Sequence, residues 1–122
     1  MTENGDEIKE LLDNIKNGIF EKKGERVVEL DFRAIENRVC DYFIICHGNS
    51  FTHVDSIAEE VELKVKKNTG EYPHHREGLE NCLWVLIDYG NVVVHIFQEE
   101  YREFYNLESL WADAITREFR DN

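Results

Sequence analysis

The sequence is short of the features that mark membrane, secreted or nucleic-acid-binding proteins. No apolar run reaches the ~18 residues of a membrane span, and residues 1–6 are polar and acidic where a secretion signal is basic and then apolar. Only 14 basic residues stand against 26 acidic ones, a net charge of −12, whereas binding to nucleic acids depends on lysine and arginine at the phosphates. We therefore expect a cytoplasmic protein with no membrane segment, disorder in residues 1–6 and little direct binding to RNA or DNA.

Cysteine and histidine do not occur at the spacings of a metal or redox site. The three cysteines, Cys40, Cys46 and Cys82, are odd in number, share no CxxC spacing and lie within or beside apolar runs. The five histidines match neither HExxH nor a Cys/His ligand pattern, and the phosphate-loop patterns GxxxxGK[ST] and GxGxxG do not occur. These patterns predict buried, reduced thiols, no metal and no cofactor.

The most apolar part of the chain is the stretch 83–97. It contains two runs rich in β-branched and aromatic residues, separated by a turn at Gly90-Asn91 that supplies the positive φ of a tight hairpin. Neither run alternates apolar with polar residues, which predicts strands buried on both faces. One long buried helix is disfavoured because Gly90 and Asn91 interrupt the run. We therefore expect an antiparallel hairpin at the centre of a sheet, with helices covering it.

Helical spacing of apolar residues recurs in four other stretches. The first stripe includes Ile8, Leu11 and Ile15. Thr52 with Asp55 fits a capping box at the start of the second helix, and Asn106 fits an N-cap before the last. The predicted helices are 7–22, 52–69, 99–105 and 107–120.

The remaining apolar runs predict strands. They lie at 26–32 and 41–46, and one short edge strand is expected in the polar segment that contains Pro73 and Gly78. The order of elements predicts an α/β sandwich, a single domain over residues 1–122. In this prediction a mixed sheet of four or five strands is covered by helices on both faces.

The loop Gly48-Asn49-Ser50 is the strongest candidate for chemistry. It lies between a strand and a helix, where backbone N–H groups can hold an anion, although a turn with an N-terminal cap is the commoner use of such a sequence. A nucleotidyltransferase would also need two or three clustered carboxylates to hold Mg²⁺, but Asp88 stands alone and no DxD follows the loop. We expect no catalytic site and keep two alternatives open, a nucleotide-binding enzyme and a homodimeric interaction module.

Several motifs follow one another in an order typical of a known family. They are DYFIICHGNS at 41–50, HV at 53–54, IA at 57–58, EG at 77–78, WVLIDYGNVVVHIF at 84–97, Arg102, FY at 104–105 and LESLW at 107–111. Together they resemble the Iojap family, the bacterial ribosomal silencing factors RsfS (YbeB). The match covers nearly the whole chain, from the first helix to about Ala114.

This resemblance implies a translation repressor that is not an enzyme. Family members bind the large ribosomal subunit through its ribosomal protein L-fourteen and block association with the small subunit when nutrients are scarce. Their fold resembles a nucleotidyltransferase core without the catalytic carboxylates. The implied partner-binding residues of this chain are Asp88, Tyr89, His95, Arg102, Tyr105, Leu107, Glu108 and Trp111.

The composition of the C-terminal segment favours a basic protein partner independently of the resemblance. Residues 99–122 include seven acidic and three basic side chains, a net charge of −4. Interleaved with them are aromatic residues of the types enriched as interface anchors, namely Tyr101, Phe104, Tyr105 and Trp111. An acidic protein that binds a ribosome is expected to contact a basic ribosomal protein rather than RNA phosphates. The alternative role for Leu107, Leu110 and Trp111 is to pack the last helix onto the sheet.

Overall fold

A computed structural model describes residues 5–121 as one α/β domain. Residues 1–4 of the predicted disordered segment lie outside this range, whereas Gly5 and Asp6 already belong to the first helix. Within the described range, no helix is long and apolar enough to cross a membrane. The elements are α1 (Gly5–Glu21), β1 (Glu25–Asp31), β2 (Tyr42–Gly48), α2 (Phe51–Thr69), β3 (His75–Glu77), β4 (Trp84–Asp88), β5 (Val92–Gln98), α3 (Glu99–Tyr105), α4 (Leu107–Leu110) and β6 (Ile115–Phe119).

The strands form one mixed sheet in the order β3-β4-β5-β2-β1-β6. The central strands β2 and β5 are parallel, and the other neighbouring pairs are antiparallel. The predicted α/β class and mixed sheet are confirmed, and the short edge strand near Pro73 is β3. The predicted number of four or five strands is wrong, because the described part of the chain contains six.

The sixth strand lies in a segment predicted to be helical. Helix α4 ends at Leu110, and Ile115–Phe119 pairs with β1 from Asp31↔Ile115 to Val27↔Phe119. Two of its first residues, Ile115 and Thr116, are β-branched and favour a strand. Pairing also satisfies the backbone groups along the open edge of β1, which a helix would leave facing water. The pairing with β1 therefore outweighs the helical spacing of apolar residues in this segment.

The hairpin between β4 and β5 turns at Gly90, as predicted. Gly90 has a φ of 91°, and its N–H donates to Oδ1 of Asp88 at 2.7 Å. Strand β5 is largely buried, but β4 alternates between buried and half-buried residues, with Trp84 and Leu86 half-buried. Burial on both faces is therefore confirmed for β5 and wrong for β4, which lies towards the β3 edge of the sheet.

Helices cover the two faces of the sheet unequally. The long helices α1 and α2 pack on one face, and they approach so closely that a Cβ built on Gly18 would lie 2.8 Å from Cα of Val61. The second face is covered by α3, α4 and the segment after β1, which pack through Leu107, Trp111 and Phe32 against strand residues. Two short helices cover less of a sheet than two long ones, so more of the second face is accessible.

The start of α2 differs from its predicted cap. Ser50 is the N-cap, and its Oγ accepts a hydrogen bond from the N–H of His53 at 3.1 Å. The prediction of a capping box at Thr52 and Asp55 is therefore wrong, because the helix begins at Phe51 and already includes Thr52. The predicted end is confirmed by Gly70, which adopts a left-handed φ of 77°.

Candidate protein-binding surface

The C-terminal motif folds as two short helices joined at Asn106. Helix α3 covers the predicted residues 99–105, and its end is fixed by the Asn106 N–H, which donates to the carbonyl of Arg102 at 2.9 Å. The Asn106 side chain accepts from the N–H of Ser109 and so caps α4. Asn106 has a φ of 46°, a left-handed conformation that asparagine adopts more readily than most residues. The predicted N-cap is confirmed, and it produces a sharp bend between the helices.

These two helices expose large apolar side chains next to acidic ones. Phe104 is 79% exposed, Leu110 69% and Tyr105 46%. A monomeric domain gains nothing by leaving such residues in water, and exposed aromatic side chains are typical of protein-binding sites. We define the α3–α4 surface as Glu100, Glu103, Phe104, Tyr105, Leu110 and the half-buried Trp111.

Tyr105 is held in place from below by the sheet. Its ring lies 4.7 Å from the ring of Trp84, measured between centroids, and Trp84 stacks on Phe97 at 5.0 Å. The indole Nε1 of Trp84 also donates to Nδ1 of His95 at 3.0 Å. One side of the Tyr105 ring is therefore packed while the other faces solvent. A rigid aromatic side chain of this kind loses little conformational entropy when it binds a partner.

Trp111 combines the two roles considered from the sequence. Its ring packs edge-on against Phe32 and Phe43, at centroid distances of 5.3 Å and 6.3 Å. The remainder of the side chain is accessible because the residue is only half-buried. Trp111 therefore closes the apolar layer over the second face and adds an aromatic edge to the α3–α4 surface.

Arg102 points into the protein, although the resemblance implies that it contacts the partner. It is 2% exposed and donates from Nε and Nη2 to Oε2 of Glu108, at 3.3 Å and 3.1 Å. Its Nη1 donates to Nδ1 of His47 at 3.0 Å and to the carbonyl of Glu25 at 3.3 Å. In this conformation its guanidinium holds α3, α4 and two strands together and offers nothing to a partner.

Other implied contact residues also lie inside the domain. Tyr89 is buried in the core beneath α1 and α2, where burial raises the pKa of its hydroxyl. His95 is buried beneath Trp84, and burial lowers its pKa to about 3. Leu107 is buried in the layer over the second face. Asp88 is half-buried at the turn, at the other end of β4 from Trp84. Of the implied residues, Tyr105, Glu108 and Trp111 are therefore at least partly exposed in the α3–α4 segment, whereas Arg102 and Leu107 are buried there.

Comparison with known proteins assigns the chain to a family. A family model described as ribosomal silencing factor during starvation matches residues 5–122. The chain belongs to the ribosomal silencing factor RsfS family. RsfS of Halalkalibacterium halodurans is 47% identical over 109 residues, which cover 89% of this chain and 92% of that protein. RsfS of Bacillus subtilis is 45% identical over 94 residues, which cover 77% and 78%.

A solved structure supports both the family and the fold. The crystal structure of a Bacillus halodurans protein superposes with a TM-score of 0.78 at 42% identity, covering 91% of this chain and 99% of that one. The resemblance to RsfS proposed from the motifs is confirmed, and RsfS relatives include plant proteins named Iojap.

Two exposed residues of the α3–α4 surface are missing from the set implied by the resemblance. They are Phe104 and Leu110, whose side chains are the most exposed apolar groups of that surface. The aromatic content of residues 99–122 already indicated Phe104 as a residue type typical of interface anchors. Its exposure follows from the orientation of Arg102, because Phe104 lies two residues later, roughly 200° around the helix. The sequence did not show that Arg102 points inward, since arginine in a short helix ordinarily indicates a solvent-exposed position.

The Gly48–Ser50 loop is hydrogen-bonded to the first turn of α2. The N–H of Asn49 donates to Nδ1 of His53 at 3.0 Å, and the N–H of Val54 donates to the carbonyl of Ser50 at 3.0 Å. With the Ser50 cap, these bonds are those of a capping turn rather than of an open cradle for phosphate. Among residues 5–121, no three His, Cys, Asp or Glu side chains form a group that could hold a metal ion.

Proposed function

We propose that the protein represses translation by binding the large ribosomal subunit and blocking its association with the small subunit when nutrients are limiting. Its contact on the large subunit is ribosomal protein L-fourteen. Membership of the RsfS family supports a role at the ribosome. No catalytic step, cofactor or metal enters this mechanism, because the protein acts by occupying a surface that the small subunit needs.

The observation that carries the proposal is the α3–α4 surface. Phe104, Tyr105 and Leu110 supply exposed apolar area, while Glu100 and Glu103 of α3 supply negative charge beside it. A basic protein fits this combination, because its lysine and arginine side chains can pair with carboxylates and lay their aliphatic stems on aromatic rings. RNA fits it poorly, because phosphates would meet carboxylates.

The size of the domain supports a steric mechanism. A folded chain of 122 residues has a radius of gyration of about 14 Å. A protein of this size, bound at the surface where the two subunits meet, would keep the subunits too far apart to contact each other directly. Blocking therefore requires only that the α3–α4 surface bind tightly enough to compete with subunit association.

In this proposal, the residues implied by the resemblance form two groups. One group contacts the partner, and the other supports the contact residues from inside the domain. Tyr105 and Trp111 contact the partner together with Phe104 and Leu110, and the partly exposed Glu108 lies at the border of that contact. The supporting group includes Arg102, Leu107 and His95. These residues are buried under the two helices or under Trp84 and hold the contact residues in place. Tyr89 supports the opposite face, and Asp88 fixes the hairpin turn through its bond to Gly90.

The test is co-sedimentation with purified large and small subunits in sucrose gradients. The variant Phe104→Ala/Leu110→Ala removes two exposed side chains of the α3–α4 surface. Losing interface anchors costs about 2 kcal/mol or more, so we expect at least roughly thirtyfold weaker binding to large subunits and restored subunit joining. The matched control is Leu63→Ala/Tyr72→Ala, which removes exposed apolar side chains elsewhere and should bind normally.

Other outcomes would favour the alternatives. Normal blocking of subunit joining by Phe104→Ala/Leu110→Ala would place the contact elsewhere. A stable homodimer with no affinity for either subunit would favour a self-associating interaction module. Mg²⁺-dependent binding of nucleotides, measured by isothermal titration and lost on Ser50→Ala, would favour the enzyme alternative.

A further inference from the structure

We propose that Arg102 is the positioning residue of the α3–α4 surface, anchored to the sheet by His47, and that protonation of His47 releases this anchor. This inference rests on the proposed function, because it concerns how the same surface is held and regulated. Arg102 makes no contact with the partner in this mechanism. It fixes the angle between α3 and α4, and so the relative placement of Tyr105 and Leu110.

The first support is the set of elements that one buried side chain connects. Arg102 belongs to α3, and it bonds to Glu108 of α4, to His47 of β2 and to the carbonyl of Glu25 of β1. It is one of the largest fully buried side chains in the described part of the chain. A guanidinium suits this role because its donors form a rigid fork that can bond in several directions at once.

The second support is that α4 is too short to be stable in isolation. It contains only four residues, Leu107–Leu110, far fewer than a helix needs to be stable in isolation. Besides its cap at Asn106, α4 is bonded to α3 through the pair of bonds from Arg102 to Oε2 of Glu108, and Oε1 of Glu108 is buried without a hydrogen-bond partner. Removing Arg102 would leave this partly buried carboxylate unpaired, which favours movement of α4 into water.

The third support is the protonation state that the geometry imposes on His47. Its Nδ1 accepts from Arg102, so the ring proton sits on Nε2, which lies 3.7 Å from Oε2 of Glu99. A second proton on Nδ1 would meet the guanidinium donor and break the bond. The charged groups facing His47 are Arg102 and Glu99 from α3, and Glu25 and Arg26 from β1.

The sign of the pH effect follows from this arrangement. Burial, and next the charge of Arg102, lower the pKa of His47 below its ordinary value of 6.5. A histidine whose pKa is lowered by folding stabilises the folded arrangement above its ordinary pKa, and this contribution is lost as pH falls through the folded-state pKa. The anchor is therefore complete at neutral pH and weakens in acid, so a fall in cytoplasmic pH would loosen the surface.

The experiment measures hydrogen exchange of the backbone amides at Ser109, Leu110 and Trp111, which donate within the bend and α4. We expect Arg102→Met to lower their protection factors at least tenfold at pH 7.5, to leave those of α2 unchanged and to weaken binding to large subunits at least tenfold. The matched control is Lys16→Met. It removes a largely buried cation paired with Glu29, away from α3 and α4, and should change neither.

A second pair of measurements isolates His47. In the wild-type protein we expect the protection factors of these three amides to fall several-fold between pH 7.5 and pH 5. His47→Gln keeps an acceptor for Arg102 but does not titrate in this range, so its protection should match the wild type at pH 7.5 and stay constant. An equal fall in His47→Gln would overturn the role of His47. Unchanged protection of the three amides in Arg102→Met would overturn the positioning role.

The two proposals fail in different ways. Protection is measured on the isolated protein, so it reports positioning whether or not the ribosome is the partner. If Arg102→Met loosens α4 but neither it nor Phe104→Ala/Leu110→Ala weakens binding, the proposed function fails while the positioning role stands. If Arg102→Met does not fold, Glu108→Gln replaces it, because it removes the charge that Arg102 holds but keeps the shape. The same selective loss at the three amides is then expected, and its absence overturns the proposal.

Discussion

The indole N–H of Trp84 donates to Nδ1 of His95 at 3.0 Å, across the β4–β5 pair. This bond fixes the ring proton of His95 on Nε2, because the other nitrogen is the acceptor. It also fixes the indole plane on which Tyr105 packs. Tyr105 of the α3–α4 surface is thus supported by a half-buried tryptophan and a buried histidine of the sheet.

Trp84 should contribute strongly to stability although it is only half-buried. Trp84→Ala removes its stacking on Phe97 and Tyr105, and we expect a loss of about 3 kcal/mol, the low end for truncating a large aromatic residue. Trp84→Phe keeps a ring but leaves the His95 acceptor buried without a donor, which should cost about 1–2 kcal/mol. Urea denaturation of the two variants checks the order. Equal stability of Trp84→Phe and the wild type would show that the hydrogen bond contributes nothing.

His95 should make the protein less stable in acid. Burial lowers its pKa to about 3, from 6.5 in the unfolded chain. The unfolded state therefore binds more protons between these values, so the free energy of unfolding falls as pH drops from about 6.5 towards 3. We expect His95→Gln, which does not titrate there, to lose less stability than the wild type between pH 7 and pH 4 in urea denaturation. Parallel pH profiles would contradict the assignment.

Gly18 should be required by the contact between α1 and α2. Alanine is favoured over glycine in a helix by about 1 kcal/mol, but its Cβ would lie 2.8 Å from backbone Cα of Val61. Because backbone cannot rotate away, we expect Gly18→Ala to destabilise the protein by about 1–3 kcal/mol in thermal or urea denaturation. The control is Asn17→Ala, at an exposed position of the same helix. A stabilised Gly18→Ala would show that the helices separate easily.

The sequence predicted elements well where local chemistry and packing agree. Helix α3, the turn at Gly90 and the end of α2 at Gly70 all lie where their residues indicate. It failed at Ile115–Phe119, because a strand at a sheet edge depends on the partner strand that it meets. That partner, β1, is more than eighty residues earlier in the chain, and no local pattern reports such a pairing.

The sequence identified the motif that forms the α3–α4 surface but not which of its residues are buried. The motif around Tyr105 and Trp111 was identified, and its charge and aromatic content were visible in the composition. The burial of Arg102 was not visible, because it depends on an acceptor at His47, fifty-five residues earlier, and on the bend at Asn106. The sequence does not distinguish a buried arginine from an exposed one. Only the tertiary structure therefore distinguishes a contact residue from a positioning residue.

The charge of the α3–α4 surface gives the last prediction. If the partner is a basic protein, the variant Glu100→Gln/Glu103→Gln should bind large subunits several-fold more weakly at low salt. Its binding should also depend less on salt than that of the wild type.

The matched control neutralises Lys64, Lys66 and Lys67, which lie on α2 over the opposite face of the sheet. Contacts to RNA phosphates would require such lysines, whereas contacts to a basic protein would not. We therefore expect Lys64→Gln/Lys66→Gln/Lys67→Gln to bind normally, with the salt dependence of the wild type, in the same sedimentation assay. Strong loss of binding in the lysine variant, with none in the glutamate variant, would mean that ribosomal RNA is the partner and that α2 faces it.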